Sequence, residues 1–284
     1  KLIAFAVSGK QFTEKDVFFH NERWHCFDAH SDLSNSSKDE LIANLNAIVA
    51  STKLQLQAAS HIIITYGTSW IYRNIATNEI VANCHKVPQK EFSKEILSVE
   101  TIKKSIQNTL DLIQKINPNV KFIFTVSPVR HLKDGFVENQ LSKAHLITAI
   151  HQILQSAIYF PSYEIMMDEL RDYRFYAEDM IHPNSVAIDY IWQRFSETSI
   201  SEESHSIMKE VETIQKGLAH RPFNPNSASH QQFLSKLNDK MVKLQKQLPP
   251  LPFSKYLFHR IIHISYLMQI YKVITNKYNH YEKS

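Results

Sequence analysis

Two short apolar stretches constrain this chain most. His61-Ile62-Ile63-Ile64-Thr65-Tyr66 and the run from Val120 to Val126 are nearly continuous β-branched and aromatic residues. Such runs read as strands buried on both faces, the situation of a parallel sheet covered by helices. The segments around them agree. Ser37-Lys38-Asp39-Glu40 has the spacing of a capping box, and the helix it opens carries Leu41, Leu45 and Ile48 on one face. Ile102, Ile106, Leu110 and Ile113 recur at helical spacing until Asn117-Pro118-Asn119 stops them. A helix over about 139–155 and a short strand over 157–160 follow. Pro161-Ser162 then leads into a helix through Met166 and Leu170, and a further helix carries Val186, Tyr190 and Phe195. Strands alternating with helices predict an α/β fold with a parallel sheet covered on both sides.

The N-terminal part is more irregular. Residues 1–7 read as the last turns of a helix with Gly9 just past its end. Residues 18–27 read as two short aromatic strands about an Asn21-Glu22 turn, and 71–74 with 79–82 as a small hairpin around Thr77-Asn78. After Ser199 the character changes. Ile207, Val211, Ile214 and Leu218 mark one helix, His220-Arg221-Pro222-Phe223-Asn224-Pro225 breaks it, and Phe233, Leu237, Met241, Leu244 and Leu248 mark a second. The expected division is an α/β domain over 1–199, a helical part packed on it over 200–250, and an amphipathic helical tail over 251–284. The tail's apolar stripe of Leu257, Ile261, Ile264, Met268 and Tyr271 lies near Lys255, Arg260, Lys272 and Lys277. A basic amphipathic helix suits a membrane surface or a partner, although such a stripe more often packs on its own domain.

Charge narrows the partners. A net charge of +4 over 284 residues, with basic and acidic side chains interspersed, gives no concentrated basic face for nucleic acid. No apolar run is long enough to span a bilayer. Cys26 and Cys84 are the only cysteines and form no Cys-x-x-Cys, which fits a reducing, cytoplasmic compartment. His20, His25, His30 and His85 lack zinc-ligand spacing, so no metal and no cofactor is expected.

Chemistry is expected where the strands end. In parallel sheets ligands sit at the carboxyl ends of strands, here Gly67-Thr68-Ser69 and Ser127-Pro128. Asp179-Met180-Ile181-His182-Pro183 places a carboxylate three residues before an imidazole. The Asp can hold one ring nitrogen and leave the other to act as a base, as a serine hydrolase requires. The same spacing also suits a helix-capping Asp beside an ordinary loop histidine. Arg130-His131, after the second strand, suits an acyl or phosphate-like anion, or a surface ion pair.

Several blocks recur in a telling order. They are 65–72 (TYGTSWIY), 81–86 (VANCHK), 125–131 (TVSPVRH), 160–170 (FPSYEIMMDEL), the Asp179/His182 turn, and 220–225 (HRPFNP). Together, over about residues 1–245, the chain resembles the bacterial GSCFA-domain family, itself similar to the SGNH (GDSL-like) hydrolases. The resemblance implies a three-layer α/β/α flavodoxin-like fold and hydrolysis of a small-molecule ester or acyl substrate. By that analogy His182 is the general base and Asp179 its orienting partner. Gly67 lies at the oxyanion hole, Ser69 stands where such enzymes carry Asn, and Asn83 is either a substitute amide donor or a loop-capping residue. His85, Ser127 and Arg130 complete the expected pocket rim. The family's N-terminal Gly-Ser-Cys-Phe-Ala stretch supplies the nucleophilic Ser, and no glycine here is followed by Ser. The expectation is therefore a sheet lacking its first strand, an N-terminally truncated chain, and half of an active site. Loss of catalysis, with the fold kept as a binding module, is the alternative, and Ser127 or Ser69 as substitute nucleophile a further one.

Overall fold

The two apolar runs pair with each other in parallel, and the rest of the chain is arranged about that pair. The computed structural model describes residues 1–154 and 157–247. The chain opens with helix α1 (Leu2–Ser8), which ends as expected on Gly9 in the left-handed region, φ 76°, with its N–H on the Phe5 carbonyl. Strands β1 (Phe18–His20) and β2 (Arg23–His25) form the aromatic hairpin, turned by Asn21 and Glu22, both at positive φ. Helix α2 (Lys38–Ala58) is capped by Ser37, whose Oγ accepts the Glu40 N–H. The expected reciprocal half of that box is missing, because Glu40 instead accepts the Asn35 side-chain amide. Val49, rather than Ile48, joins Leu41 and Leu45 in the core.

Strand β3 (His61–Tyr66) runs straight through Gly67 to Ser69 into β4 (Trp70–Asn74). Strands β4, β5 (Ile80–Val81) and β6 (Phe92–Ile96) make a separate antiparallel sheet in the order β5-β4-β6. The β4–β5 hairpin was legible in advance, but β6 was not, since its sequence Phe-Ser-Lys-Glu-Ile has little apolar alternation. Helix α3 (Val99–Gln114) buries Ile102, Ile106, Leu110 and Ile113, as its period predicts.

Strand β7 (Lys121–Val126), helix α4 (Phe136–His151), strand β8 (Ile158–Phe160) and helix α5 (Ser162–Glu164), continued by a π-turn through Glu169, complete the α/β unit. The parallel sheet has the order β3-β7-β8, with His61 opposite Lys121 and Ile123 opposite Ile158. Helices flank it, so the architecture is α/β/α. β7 lies in the middle and is buried from Phe122 to Val126. β3 was expected to be buried on both faces too. Only Ile62 is, while Ile63 and Ile64 are half-buried and Thr65 is exposed. The reason is position: β3 is an edge strand, with no neighbour beyond it among the described residues. One core joins α1, α2, α3, α4 and the sheet.

By its contacts the chain divides into Lys1–Ile188 and the residues from Asp189 on, with helix α6 (Ser185–Ser199) running across the division. The second unit contains α7 (Ser204–Ala219) and α8 (Ala228–Gln247), which share a small core of Val211, Ile214, Leu237 and Leu244. Gly217 allows their close approach, since a Cβ there would lie 2.7 Å from Leu237 Cδ1. Residues 251–284, expected as an amphipathic tail, lie outside the described residues, and with them the expected membrane contact. No helix among the described residues is long and apolar enough to cross a membrane.

The contrast between central and edge strand is measurable. Phe124→Ala, at a position with no exposure, should cost about 3–5 kcal/mol of unfolding free energy. Ile64→Ala on half-buried β3 should cost under about 2 kcal/mol. Urea denaturation of the two variants checks this, and equal losses would contradict the edge position of β3.

Candidate active site

The Asp179–His182 turn is built by its own backbone. Ala177 N–H donates to the His182 carbonyl (2.8 Å) and Met180 N–H to the Ala177 carbonyl (3.0 Å). Met180 takes a left-handed conformation, φ 57°, which a non-glycine residue adopts only at some cost in energy. The return is carried by a bridge between Tyr176 and Pro183. This folding aims the Asp179 carboxylate back at its own turn. Oδ1 accepts the N–H groups of Ile181 (2.9 Å) and His182 (3.0 Å), and Oδ2 lies 2.6 Å from His182 Nδ1. The backbone N–H of His182, then its ring, then the N–H of Ile181 hold the Asp179 carboxyl down to about 2. An ionised carboxylate only accepts, so Nδ1 carries the hydrogen in this bond. His182 Nε2 has no hydrogen-bond partner among the described residues. The pair is open to solvent, with side-chain exposures of 58% and 46%.

A second group of residues sits at the carboxyl ends of β3 and β7. Lys143 comes from the inward face of α4, in register with Asn139, Leu146 and Ile150, and is 1% exposed. Its ammonium donates to the carbonyls of Gly67 and Ser127, each at 2.7 Å, and lies 5.4 Å from the Tyr163 ring. Burial pushes its pKa down to about 8. The N–H groups of Gly67 and Thr68 have no partner among the described residues. Because Lys143 draws on the Gly67 carbonyl, it polarises the peptide that carries the Thr68 N–H. His131 covers this corner, since a Cβ built on Gly67 would lie 3.5 Å from its Nε2. Burial first, then the charges of Lys143 and His182, push the His131 pKa down. Its own backbone is held by Asn139, whose side-chain oxygen accepts the His131 N–H at 2.9 Å.

Arg130 connects the two groups. Its N–H donates to the Ile181 carbonyl (3.2 Å), inside the Asp179–His182 turn. Its guanidinium lies 4.0 Å from the centre of the buried Tyr176 ring and 5.6 Å from that of Tyr173. The loop after β7 is thus tied to the dyad turn by backbone and side chain together.

The remaining sequence candidates fall into two places. Ser127 lies at the corner, its carbonyl on Lys143 and its Oγ accepting the Val129 N–H (3.3 Å). Ser69 is 1% exposed, and its N–H and hydroxyl both meet Ser142. Asn83 and His85 belong to another neighbourhood. Asn83 Oδ1 accepts the His85 N–H (2.8 Å), and His85, at positive φ, places Nε2 2.7 Å from the Cys26 carbonyl. The His85 ring packs 4.7 Å from that of His25 and near Phe18. Among the described residues no hydrogen bond, ion pair or ring contact joins this cluster to the dyad. Among the described residues no group of three His, Cys, Asp or Glu side chains is placed to hold a metal. Lys143 and Tyr176 were not singled out from the sequence, whereas His131 was, beside Arg130 as a contact for an anion. The one signal for Lys143 was a charged side chain at a position that the period of α4 turns inward.

Two measurements test this electrostatics. Lys143 releases its proton at about 8 when folded against an ordinary 10.5, so between those values the unfolded chain holds more protons. Stability contributed by this group therefore rises with pH across that window, by roughly 3 kcal/mol in total. Denaturation at pH 7, 8.5 and 10 should show the rise in wild type and lose it in Lys143→Met. Asp179 behaves oppositely: its contacts favour folding above the ordinary 3.8 and are lost as pH falls to about 2. Carboxyl NMR should find that midpoint, and His182→Ala should raise it only partway, because the two backbone donors remain.

The sequence profile of the GSCFA family matches residues 1–195, and the profile described as GSCFA domain protein, C-terminal domain, matches residues 211–259. No curated protein and no solved structure matches the chain. With the first match spanning well over half of the 284 residues, this chain belongs to the GSCFA family.

Proposed function

We propose that the Asp179–His182 pair is the base of an SGNH-like serine hydrolase acting on esters or acyl groups, with the nucleophilic serine supplied from outside the residues of this sequence. The observation that carries the reading is the imidazole itself. Nδ1 is fixed by Asp179 Oδ2 at 2.6 Å, and Nε2 is left unpartnered beside the carboxyl ends of a parallel sheet. In this scheme a serine hydroxyl gives its proton to His182 Nε2 as its oxygen attacks the ester carbonyl. The imidazolium formed is stabilised by Asp179, and the proton passes on to the leaving alcohol. A water then repeats the sequence on the acyl-enzyme and releases the acid. The N–H groups of Gly67 and Thr68, free and in the second case polarised through Lys143, supply donors for the developing oxyanion.

Neither serine of the corner fits the role of nucleophile as well. Ser69 is enclosed with Ser142, and Ser127 Oγ is engaged with the Val129 N–H. The test is a chain extended upstream through its natural sequence and assayed on short p-nitrophenyl esters. His182→Ala should lower kcat/KM by about 10³-fold or more, and Asp179→Asn by about 10²–10⁴-fold. No turnover by the extended chain, or turnover indifferent to His182→Ala, would sink the reading. Fluorophosphonate labelling of the 284-residue chain itself should give no adduct.

A further inference from the structure

Arg130 has an unusual setting for a surface arginine. It is half-buried and bonded through its backbone into the Asp179–His182 turn, and it makes no ion pair with any described carboxylate. Asp134, the acid nearest in sequence, pairs with Lys94. Asp172 pairs with Arg174, Asp168 with Arg171 and Asp179 with His182, while Glu178 is exposed on the turn without an ion pair. Two tyrosines hold the guanidinium instead: Tyr176, 4.0 Å below it, and Tyr173 at 5.6 Å. The Tyr176 hydroxyl also bonds to the guanidinium, and the N–H groups that remain offer the fork that matches a carboxylate or phosphate. The same corner holds the buried ammonium of Lys143, which has no acid partner either. It also holds the His131 imidazole over Gly67. With the Asp179 carboxylate committed to a histidine, the site presents two cations that no acid has paired.

We infer that the dyad site takes an anionic substrate, an ester or acyl compound bearing a carboxylate or phosphate that the Arg130 fork anchors while Tyr176 and Tyr173 hold the guanidinium in place. This rests on the Asp179–His182 turn being a substrate site, as proposed above. A carboxylate and a phosphate share the chemistry a guanidinium reads, bidentate acceptance by two oxygens. Lys143, buried beneath and directed at two backbone carbonyls, adds long-range attraction for the anion and does not touch it. A neutral ester would leave the arginine with nothing but water and tyrosine, so the two substrate classes should differ in affinity.

Monomethyl succinate and dimethyl succinate are a suitable pair of probes, since they share the ester and differ in one carboxylate. Each is titrated into the 284-residue chain, with the backbone amides of Gly67, Ile181 and His182 followed by NMR. Monomethyl succinate should shift these resonances saturably and bind about 10-fold or more tightly than the diester, as a charge-assisted contact requires. Methyl phosphate in a third arm asks whether phosphate serves as the anion equally well. Arg130→Gln should abolish the preference. Arg130→Lys, which keeps the charge but not the stacked planar fork, should retain only part of it. Equal affinity for the two succinates, binding by neither, or a preference untouched in Arg130→Gln would overturn the anchor. Failure of the hydrolase reading looks different. Anion-selective binding at Arg130 with no turnover by the extended chain removes the hydrolase and leaves the anchor. Turnover of neutral and anionic esters alike removes the anchor and leaves the hydrolase.

Discussion

The buried ammonium of Lys143 is the contact on which the rest of the site depends. A charge taken out of water costs several kcal/mol unless something replaces the water, and here no acid does so. Two backbone carbonyls do, those of Gly67 and Ser127, each the first residue or so beyond a parallel strand. At strand ends the ladder stops and carbonyls are left without partners, which is itself a cost when they are buried. The lysine and the carbonyls therefore resolve each other's problem. The result pins α4, β3 and β7 at a single corner. It also fixes the direction of the Gly67–Thr68 peptide and the start of the loop that carries Arg130. Everything proposed for the site hangs on that geometry: the free amides, the imidazole over Gly67, and the tie from Arg130 to the dyad turn.

The dyad itself is held by different means. Neither Asp179 nor His182 is buried, so low dielectric does not hold them together. Short-range backbone geometry does, since one carboxylate oxygen caps two amides and thereby aims the other at the ring. Such a turn forms locally, with little help from the core. The corner is the reverse, a product of three elements far apart in sequence. A local, exposed base beside a buried, long-range set of donors suits a site that must admit a substrate on one side and resist deformation on the other.

That difference also decides what could be read from the sequence. The strands β3 and β7, the face of α3 and the αL stop after α1 are short-range signals of apolar period and glycine position, and they appear where they were expected. The Asp179–His182 contact is equally short-range and was legible from spacing. Lys143 was not, because nothing in residues 139–150 says that two carbonyls from elsewhere will meet its ammonium. β6 was missed for a related reason, as its pairing to β4 supplies what its own composition lacks. The half-burial of β3 is also a matter of topology. An apolar run announces a buried strand but not whether a neighbour lies on each side. Placing Asn83 and His85 at the rim relied on their resemblance block alone. The structure seats His85 against Cys26 and His25, with Asn83 holding its N–H.

The edge of β3 and the corner at Gly67 are the same place seen twice. A strand with Ile63 and Ile64 half-buried, and no neighbour beyond it among the described residues, offers a row of unpaired backbone groups along one side. A parallel strand laid on that edge would be covered by the same layers, and its own carboxyl end would come to lie beside Gly67. The proposed hydrolase reading places its nucleophile on such a strand; Ser127 and Ser69, already engaged at the corner, would leave that edge unpaired.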